Sequence, residues 1–533
     1  MNLVWLDISA SYSHSSLALP AIEACRCGDK YHWSHVKGTI NSDIYLVTKE
    51  LYEAQPTIIA ATLWLFNHEI TLKICERAKA LMPEVTIILG GPEFNGDNRE
   101  FLRRNHFIDY LFRGEGEVEF HKFLADAPLK DITGLCYRAE NGEYADNGRA
   151  RIDTFATLPT PESSEFFAFD SPFVQLETSR GCFNSCAFCV SGGDKPIRDR
   201  EISETKERID NIARHGVKDI RILDRTFNYS PQRAREMLQL FTHYPAMNFH
   251  LEIHPALLSE SLLELLEAMP KGLLHLEAGM QSLDDQVIKA SGRIGTNQAA
   301  IRGLSRLCKM DNFETHADLI AGLPHYTLAQ IFNDVRQLSM IGSGEIQLEL
   351  LKLLPGTKMR LEAPNNGIKF ASTPPYEVLE TPAISITELD HARLLSKLLD
   401  KFYNAQGWQQ VTRQIINENE DFLPSFLDYL IASELLDKPL SLEKRGSLLY
   451  NYCTTKMGGR YTDQISIAWI ENGISLRKAE AGKIEKAVVL PEEITRQAGL
   501  HYYHWRGSEK SYIFVFDRSV DHSKPIMKIE CKR

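Results

Sequence analysis

The chain has 533 residues, 43% of them hydrophobic and 25% charged. That is too long for a single hydrophobic core and too ordinary in composition for a disordered protein, so two to four folded domains are expected. Sixty basic against 71 acidic side chains leave a formal charge of −11, which gives no general attraction to nucleic acid or anionic lipid. No stretch reaches the roughly 18 consecutive apolar residues that span a bilayer, and MNLVWLDISASYSH lacks the basic segment of a secretory signal; the expected location is cytoplasmic, with no membrane partner.

In chain order, NLVWLDI is a buried-strand candidate that leads through the polar loop SASYSHSS into the apolar-periodic LALPAIEA. TIIAATLWLF (Thr57–Phe66) reads as a second strand, EITLKICERAKALMP as an amphipathic helix, and VTIILGG (Val85–Gly91) as a third strand closed by a glycine turn. IDYLFRGEGEVEFHKFLAD repeats the unit, with its turn at Gly114–Glu117. Strands alternating with helices imply a parallel sheet covered on both faces, whose ligands bind beyond the carboxyl ends of the strands. Residues 1–135 are therefore expected to form a doubly wound, Rossmann-like domain, with 136–170 as a linker.

From about Phe173 a longer alternation begins, with strands FVQLE, KDIRILD, NFHLEIH, LLHLEAGM, THADLIAG and EIQLELLKLL. Helical stretches such as SETKERIDNIARHG and PQRAREMLQLFTHY separate them. Six successive βα units predict a partial, TIM-like (β/α)6 barrel over 171–385, with its chemistry at strand carboxyl ends and the loops that follow. Residues 386–533 read as a smaller α+β domain of unknown function: ELDHARLLSKLLDKFYNAQGW and DFLPSFLDYLIASELL are helical, SYIFVFDRS and PIMKIECK are strands. HYYHWRG is open to two readings, a patch that contacts a base or polyaromatic substrate, or plain core and rim. Cys453 has no companion at metal-ligand spacing and reads as a structural thiol or as a resolving or proton-donating cysteine.

Three of the ten cysteines, Cys182, Cys186 and Cys189, fall within SRGCFNSCAFCVSGG, in the loop after the first barrel strand. The other seven are scattered along the chain and read as reduced, mostly buried thiols. A structural zinc site takes four Cys or His ligands, usually in two pairs, and no second pair is evident. C-x3-C-x2-C can instead give three thiolates to a [4Fe-4S] cluster and leave one iron open for a small bidentate ligand. With the aromatic Phe188 just before the third cysteine, this segment resembles the signature of the radical S-adenosylmethionine (SAM) superfamily, and the resemblance runs over roughly residues 171–356.

That resemblance implies that the open iron binds the amino and carboxylate groups of SAM, and that one electron from the cluster cleaves it to methionine and a 5'-deoxyadenosyl radical. It also implies SAM-binding residues at strand ends, similar to those of coproporphyrinogen-dehydrogenase-like radical SAM enzymes: Glu252 in LEIHP, Gln281 in EAGMQS, Arg293, and Asp318 in ADLIAGLP. Arg293 would clamp the carboxylate through its planar guanidinium, and the other three would bond the ribose or methionyl part. LDRTFNYSP brings Asp224, Arg225 and Asn228 to the same face. The family position binds the SAM amino group, often through a glycine-rich motif with a glutamate; that glycine pair is missing here, so Asp224 and Arg225 stay open to SAM or to substrate. Gly356 in LKLLPGT stands where the family packs backbone against adenine. No residue is singled out as the catalytic one.

The first domain resembles the cobalamin module of B12-dependent radical SAM proteins, most tellingly in ILGGPEF, whose Gly90 and Gly91 let backbone pass close to a bulky ligand. RGEGE (Arg113–Glu117) is a second shared feature. The D-x-H-x-x-G motif that gives cobalt a histidine ligand is absent; His14 in SYSHSS is the nearest candidate and reads more simply as a loop or cap residue, so no protein histidine is expected under the cobalt. Leu63, Trp64 and Leu65 are candidates to lie against the corrin lower face and read equally well as core. Together with LIAGLPHYT and PPYEVLET, these segments resemble B12-binding-domain radical SAM proteins that carry a C-terminal DUF4080 domain. The implied cofactors are a [4Fe-4S] cluster, SAM and cobalamin; the implied partners are a small-molecule substrate and a reduced flavodoxin or ferredoxin-type donor, without nucleic acid. The implied reaction is methylation of an unactivated carbon or phosphorus, with a rearrangement or cyclisation, or an iron-sulfur electron-transfer or sensor protein, as alternatives.

Overall fold

Leu3, Val4, Trp5 and Leu6 are each at most 4% exposed. A strand buried on consecutive residues needs cover on both faces, and the sheet around it provides that cover. The structure is a computed structural model that describes every residue except 12–15, 27, 29, 491–494, 518, 522 and 532–533. The candidate His14 lies outside the described residues. The chain separates into two units, one of Met1–His316, Ile320–Thr327 and Leu350–Leu389, the other of Ala317–Leu319, Leu328–Glu349 and Asp390–Arg533.

The first unit opens with a seven-stranded sheet. Its strands are β1 (Asn2–Ser9), β2 (His32–Thr39), β3 (Ile58–Thr62), β4 (Thr86–Gly90), β5 (Tyr110–Phe112), β6 (Leu135–Arg138) and β7 (Tyr144–Asp146), in the order β2-β1-β3-β4-β5-β6-β7. The first five are parallel and the last two antiparallel. Strand order reverses between β1 and β3, which opens a crevice at their carboxyl ends. One face buries Val4, Leu6, Ile59 and Leu89 against helices Ile44–Glu53 and His68–Leu81; the other buries Leu3, Trp5, Ala60 and Ile88 against Phe120 and Leu124.

Three details differ from the sequence reading. The edge strand β2 was not expected, because half its residues are exposed or half-exposed and no apolar run marks it. TIIAATLWLF stops pairing at Thr62: Asn67 donates its side-chain amide to the carbonyls of Ile8 and Thr62 and turns the chain. Residues read as a linker after 135 supply β7 and most of β6.

The second alternation supplies β8 (Phe173–Leu176), the short β9 (Ser179–Arg180) and β10 (Arg198–Asp199), then β11 (Asp219–Ile222), β12 (Asn248–Ile253), β13 (Leu274–Gln281), β14 (Glu314–Ala321) and β15 (Glu345–Leu350). Strands β8, β11, β12 and β13 lie side by side and parallel. Helices Ile202–Arg214, Pro231–Phe241, Glu260–Glu267 and Asn297–Leu307 alternate with them, three being capped by Ser230, Ser259 and Thr296. Burial alternates along β12: Phe249, Leu251 and Ile253 are buried, and His250 and Glu252 face the other way. The barrel therefore has an apolar side under the helices and a polar inner side. A hairpin of β16 (Lys369–Phe370) and β17 (Val378–Glu380) closes this unit.

In the second unit, helices Gln409–Glu418, Phe422–Ala432, Leu442–Lys456 and Thr462–Glu471 precede an antiparallel sheet of β18 (Lys483–Lys486), β19 (Leu500–Arg506), β20 (Ser511–Asp517) and β21 (Met527–Cys531). HYYHWRG falls on β19, where Tyr502 and Trp505 are 3% and 1% exposed and belong to the cores on its two faces. The aromatic segment is core. Cys453 is fully buried, with its thiol pushed up to about 12 by burial and its Sγ 3.9 Å from Met457 Sδ, as in a structural cysteine. No helix among the described residues is long and apolar enough to cross a membrane.

Candidate active site: the cysteine loop and the glycine turns

The cysteine loop is held at both ends. Arg180 pairs with Arg198, and Ser179 with Asp199, in the β9–β10 ladder, so residues 181–197 form a closed loop. Inside it the Cys189 N–H bonds the Cys186 carbonyl at 3.1 Å and the Gly192 N–H bonds Cys189 at 3.0 Å. A Cβ on Gly192 would lie 2.3 Å from the Cys186 oxygen, so only glycine lets the chain fold back over the cysteines. Asn184, buried, accepts the Ile294 N–H at 2.7 Å, and the Ala187 N–H bonds Ser291 at 2.8 Å. These bonds dock the loop on the turn that carries Arg293.

Cys182 and Cys186 are buried and Cys189 half-buried, with Phe188 half-buried between the last two. Burial pushes the Cys186 thiol up to about 11, opposed by Arg293 and reinforced by the neighbouring Cys189 and Cys182. The three thiols and Arg293 therefore share one electrostatic neighbourhood. No three His, Cys, Asp or Glu side chains among the described residues converge tightly enough for a single metal ion. A [4Fe-4S] cluster takes one thiolate per iron, and Cys182, Cys186 and Cys189 are three such donors on one loop.

The strand-end residues separate into two groups. Gln281 ends β13 in the left-handed region at φ +62, is 8% exposed, and has an Oε1 with no hydrogen-bond partner. Backbone strain together with an orphaned buried oxygen is what a ligand-binding amide shows before its ligand arrives. Arg293 donates to the Gly279 carbonyl at 2.5 Å, two residues before Gln281. Glu252 lies on the inner face of β12, in register with Glu277 of β13. Asp224 is occupied otherwise: one oxygen accepts the N–H groups of Thr178 and Ser179 at 2.9 and 2.8 Å, and the other the Thr178 hydroxyl. It fixes the end of β8 where the cysteine loop begins. Asn228 does the same for β12, exchanging two hydrogen bonds with the His254 backbone. Arg225, between them, is exposed and lines a cavity. Asp318 is half-buried on β14, within the second unit.

That cavity, of about 360 Å³, lies at the carboxyl ends of β3, β4 and β5, includes Trp5 of β1, and reaches Ser179, Arg180, Gly181 and Ser191 around the cysteine loop. Gly90 and Gly91 both line it, for different reasons. Gly91, at φ +108, would put a Cβ 2.7 Å from the Leu63 carbonyl, so the fold requires glycine there. A Cβ on Gly90 would have no protein atom nearer than 3.8 Å; nothing in the fold forbids a side chain, and the space it would fill opens into the cavity. Leu63 is fully buried in the core beneath, whereas Trp64, 38% exposed and stacked on Phe66 at 6.2 Å, faces the cavity. Gly356, at φ +77, abuts Asn95: its Cβ would meet the Asn95 oxygen at 2.5 Å. Its glycine requirement is thus met by the segment after β4, whatever else packs there.

An ion network that the sequence did not announce links the RGEGE turn to the cysteine loop. Arg180 contacts Glu117 at 2.5 Å, Glu177 at 2.9 Å and Glu115 at 3.4 Å, and Arg198 contacts Glu115 at 2.8 Å and Asp194 at 3.2 Å. Arg180 also lies over Phe155 at 4.4 Å. Burial raises the Glu177 carboxyl, with Arg180 opposing. The available signal was an acidic pair in a glycine turn and a basic residue two positions before the first cysteine.

Comparisons with known proteins give three family matches in chain order. Residues 29–124 match the B12 binding domain, 176–338 the Radical SAM superfamily and 365–470 the protein of unknown function DUF4080. The cobalamin-dependent radical SAM methyltransferase TokK of Streptomyces tokunonensis is 23% identical over 57% of this chain and 48% of its own. The chain thus spans about half the length of that relative. The uncharacterized methyltransferase PH0819 of Pyrococcus horikoshii is 26% identical over 68% of this chain and 80% of its own. Among solved structures, OxsB with aqua-cobalamin and S-adenosylmethionine bound aligns over 87% of this chain and 78% of its own with a TM-score of 0.62 at 14% identity. TsrM from Kitasatospora setae aligns over 71% and 80% with a TM-score of 0.55 at 17% identity. These likenesses concern the fold: a Rossmann-like sheet followed by a partial barrel. The chain is a radical SAM superfamily protein with an N-terminal B12-binding domain and a C-terminal DUF4080 domain.

Proposed function

We propose that this protein is a cobalamin-dependent radical SAM enzyme that methylates an unactivated carbon or phosphorus of a small molecule. The observation that carries this reading is a cavity that runs from the Gly90–Gly91 turn to Ser179, Arg180, Gly181 and Ser191 on the flanks of the cysteine loop, where ligands of the two sites would approach each other. When bound, a [4Fe-4S] cluster supplies the electron that cleaves SAM, and cobalamin carries the methyl group. Cys182, Cys186 and Cys189 would hold three irons. Arg293 would clamp the SAM carboxylate, and Gln281 would accept a hydrogen bond at its unpartnered Oε1. Gly90 leaves room for a corrin edge, and Trp64 offers an apolar face to it. Trp5, Ile88, Phe112 and Phe120 give the cavity an apolar wall, which would limit water near a radical. The methyltransferase names of TokK and PH0819 support the reaction class. A reduced flavodoxin or ferredoxin-type protein completes the system, and residues 1–135, 171–385 and 386–533 are taken as the working domains.

The test is anaerobic reconstitution with iron, sulfide and hydroxocobalamin, then reduction in the presence of SAM and candidate acceptors. Methyl transfer yields 5'-deoxyadenosine together with S-adenosylhomocysteine. Deoxyadenosine alone would point to a rearrangement or cyclisation, and a loaded cluster that binds no SAM would sink the enzyme reading.

A further inference from the structure

We infer that the substrate carries an oxyanion, a carboxylate or phosphate, held at the open side of the cavity by Arg149 and Arg225. This rests on the proposed function and adds the substrate class. Four acidic residues line the cavity, Glu115, Glu117, Glu177 and Asp194, and each is already paired with Arg180 or Arg198. Arg180 is likewise committed. Arg149 and Arg225 are different: both are exposed, both line the cavity, and neither has a carboxylate at ion-pair distance among the described residues.

Both stand on fixed backbone. Arg149 lies on the strap after β7, and its Cγ would be 2.9 Å from a Cβ on Gly114, so its stem runs across the glycine turn at the cavity wall. Arg225 sits between Asp224 and Asn228, whose side chains are locked to the ends of β8 and β12. Two guanidiniums with no carboxylate at ion-pair distance among the described residues line one cavity, and a ligand can complete them. An oxyanion accepts paired N–H bonds from a guanidinium, a match that a neutral or cationic substrate cannot make. Cobalamin's own phosphodiester has the same chemistry, and the test separates the two sources.

Radiolabelled inorganic pyrophosphate is dialysed against wild-type protein, against the R149Q/R225Q double variant and against R149K/R225K, each loaded with hydroxocobalamin or with dicyanocobinamide, which lacks the nucleotide-loop phosphate. The expected result is pyrophosphate binding by wild type in both loadings, weakened about tenfold or more in the glutamine variant and partly restored in the lysine variant, at an unchanged thermal midpoint. Equal binding by wild type and the glutamine variant, or none by either, overturns the inference. So does binding confined to cobinamide-loaded protein, which would assign the arginines to the cofactor's phosphodiester. Corrinoid retention is read separately by visible absorption. Protein that retains none sinks the cofactor reading, and the pyrophosphate comparison, which needs no corrinoid, still decides the inference.

Discussion

In β1 four consecutive residues, Leu3 to Leu6, are buried; in β12 only every second residue is, and His250 and Glu252 occupy the face between. Both strands are central and parallel, so backbone pairing does not distinguish them. What differs is the second face: helices and aromatic side chains cover it in the first sheet, and in the barrel it is the polar interior. The first sheet therefore meets its cavity with the glycine turns after β4 and β5 and with an apolar wall of Trp5, Ile88 and Phe112, whereas the barrel presents polar side chains such as His250 and Glu252 along a strand.

The sharpest way to break this comparison is to remove the chemistry from the barrel loop. Replacing Cys182, Cys186 and Cys189 by alanine should reduce 5'-deoxyadenosine formation to background while the far-ultraviolet circular dichroism stays that of the wild type. Core truncation separates the two sheets next. Leu276→Ala, on the helix side of β13, should cost about 2–5 kcal/mol by urea unfolding, and the adjacent inner-face change His275→Gln less than about 1 kcal/mol. In β1 the adjacent changes Leu3→Ala and Val4→Ala should both cost more than about 1 kcal/mol. A cheap neighbour there would mean that one face of the first sheet is not core.

The glycine pair gives a finer contrast. Gly91→Ala should destabilise the fold by about 1–3 kcal/mol, because of its φ and the Leu63 carbonyl. Gly90→Val should leave the melting midpoint nearly unchanged and abolish retention of hydroxocobalamin. Gln281→Gly should raise stability by about 1 kcal/mol by relieving the left-handed backbone, and weaken SAM binding in equilibrium dialysis. A pH dependence gives the last contrast. Burial, with His250 and His316 adding to it, pulls His275 down from 6.5 to about 4. Between those values the unfolded chain binds a proton that the folded chain refuses, so stability falls as pH drops from about 6.5 toward 4. His275→Gln should flatten that part of the stability profile.

Much of this fold was legible because periodicity is local. The continuous runs of β1, β3 and β4 and the alternation of NFHLEI and LHLEAGMQ each announce their burial in the order of residues. The cysteine loop and the glycine pair were legible from spacing. Strand β2 was not, since an edge strand with an exposed histidine and lysine has no apolar signature, and HYYHWRG concealed a core strand behind its polar neighbours. Asp224 was read as a candidate contact to SAM or substrate and holds Thr178 and Ser179 instead, because a carboxylate that caps backbone and one that awaits a ligand look alike in sequence. Nor could the Arg180 network be read, since ion pairing between residues 63 apart, as for Glu117 and Arg180, is decided by tertiary packing alone.

The closure of the cysteine loop by the β9–β10 ladder, and its anchoring by Asn184 and Gly192, bears on the life of the protein as well as on its chemistry. Hydrogen bonds of this kind fix part of the loop's shape in the protein itself. The ordering entropy that three thiols on a free chain would cost a cluster at assembly is thereby partly met by the fold.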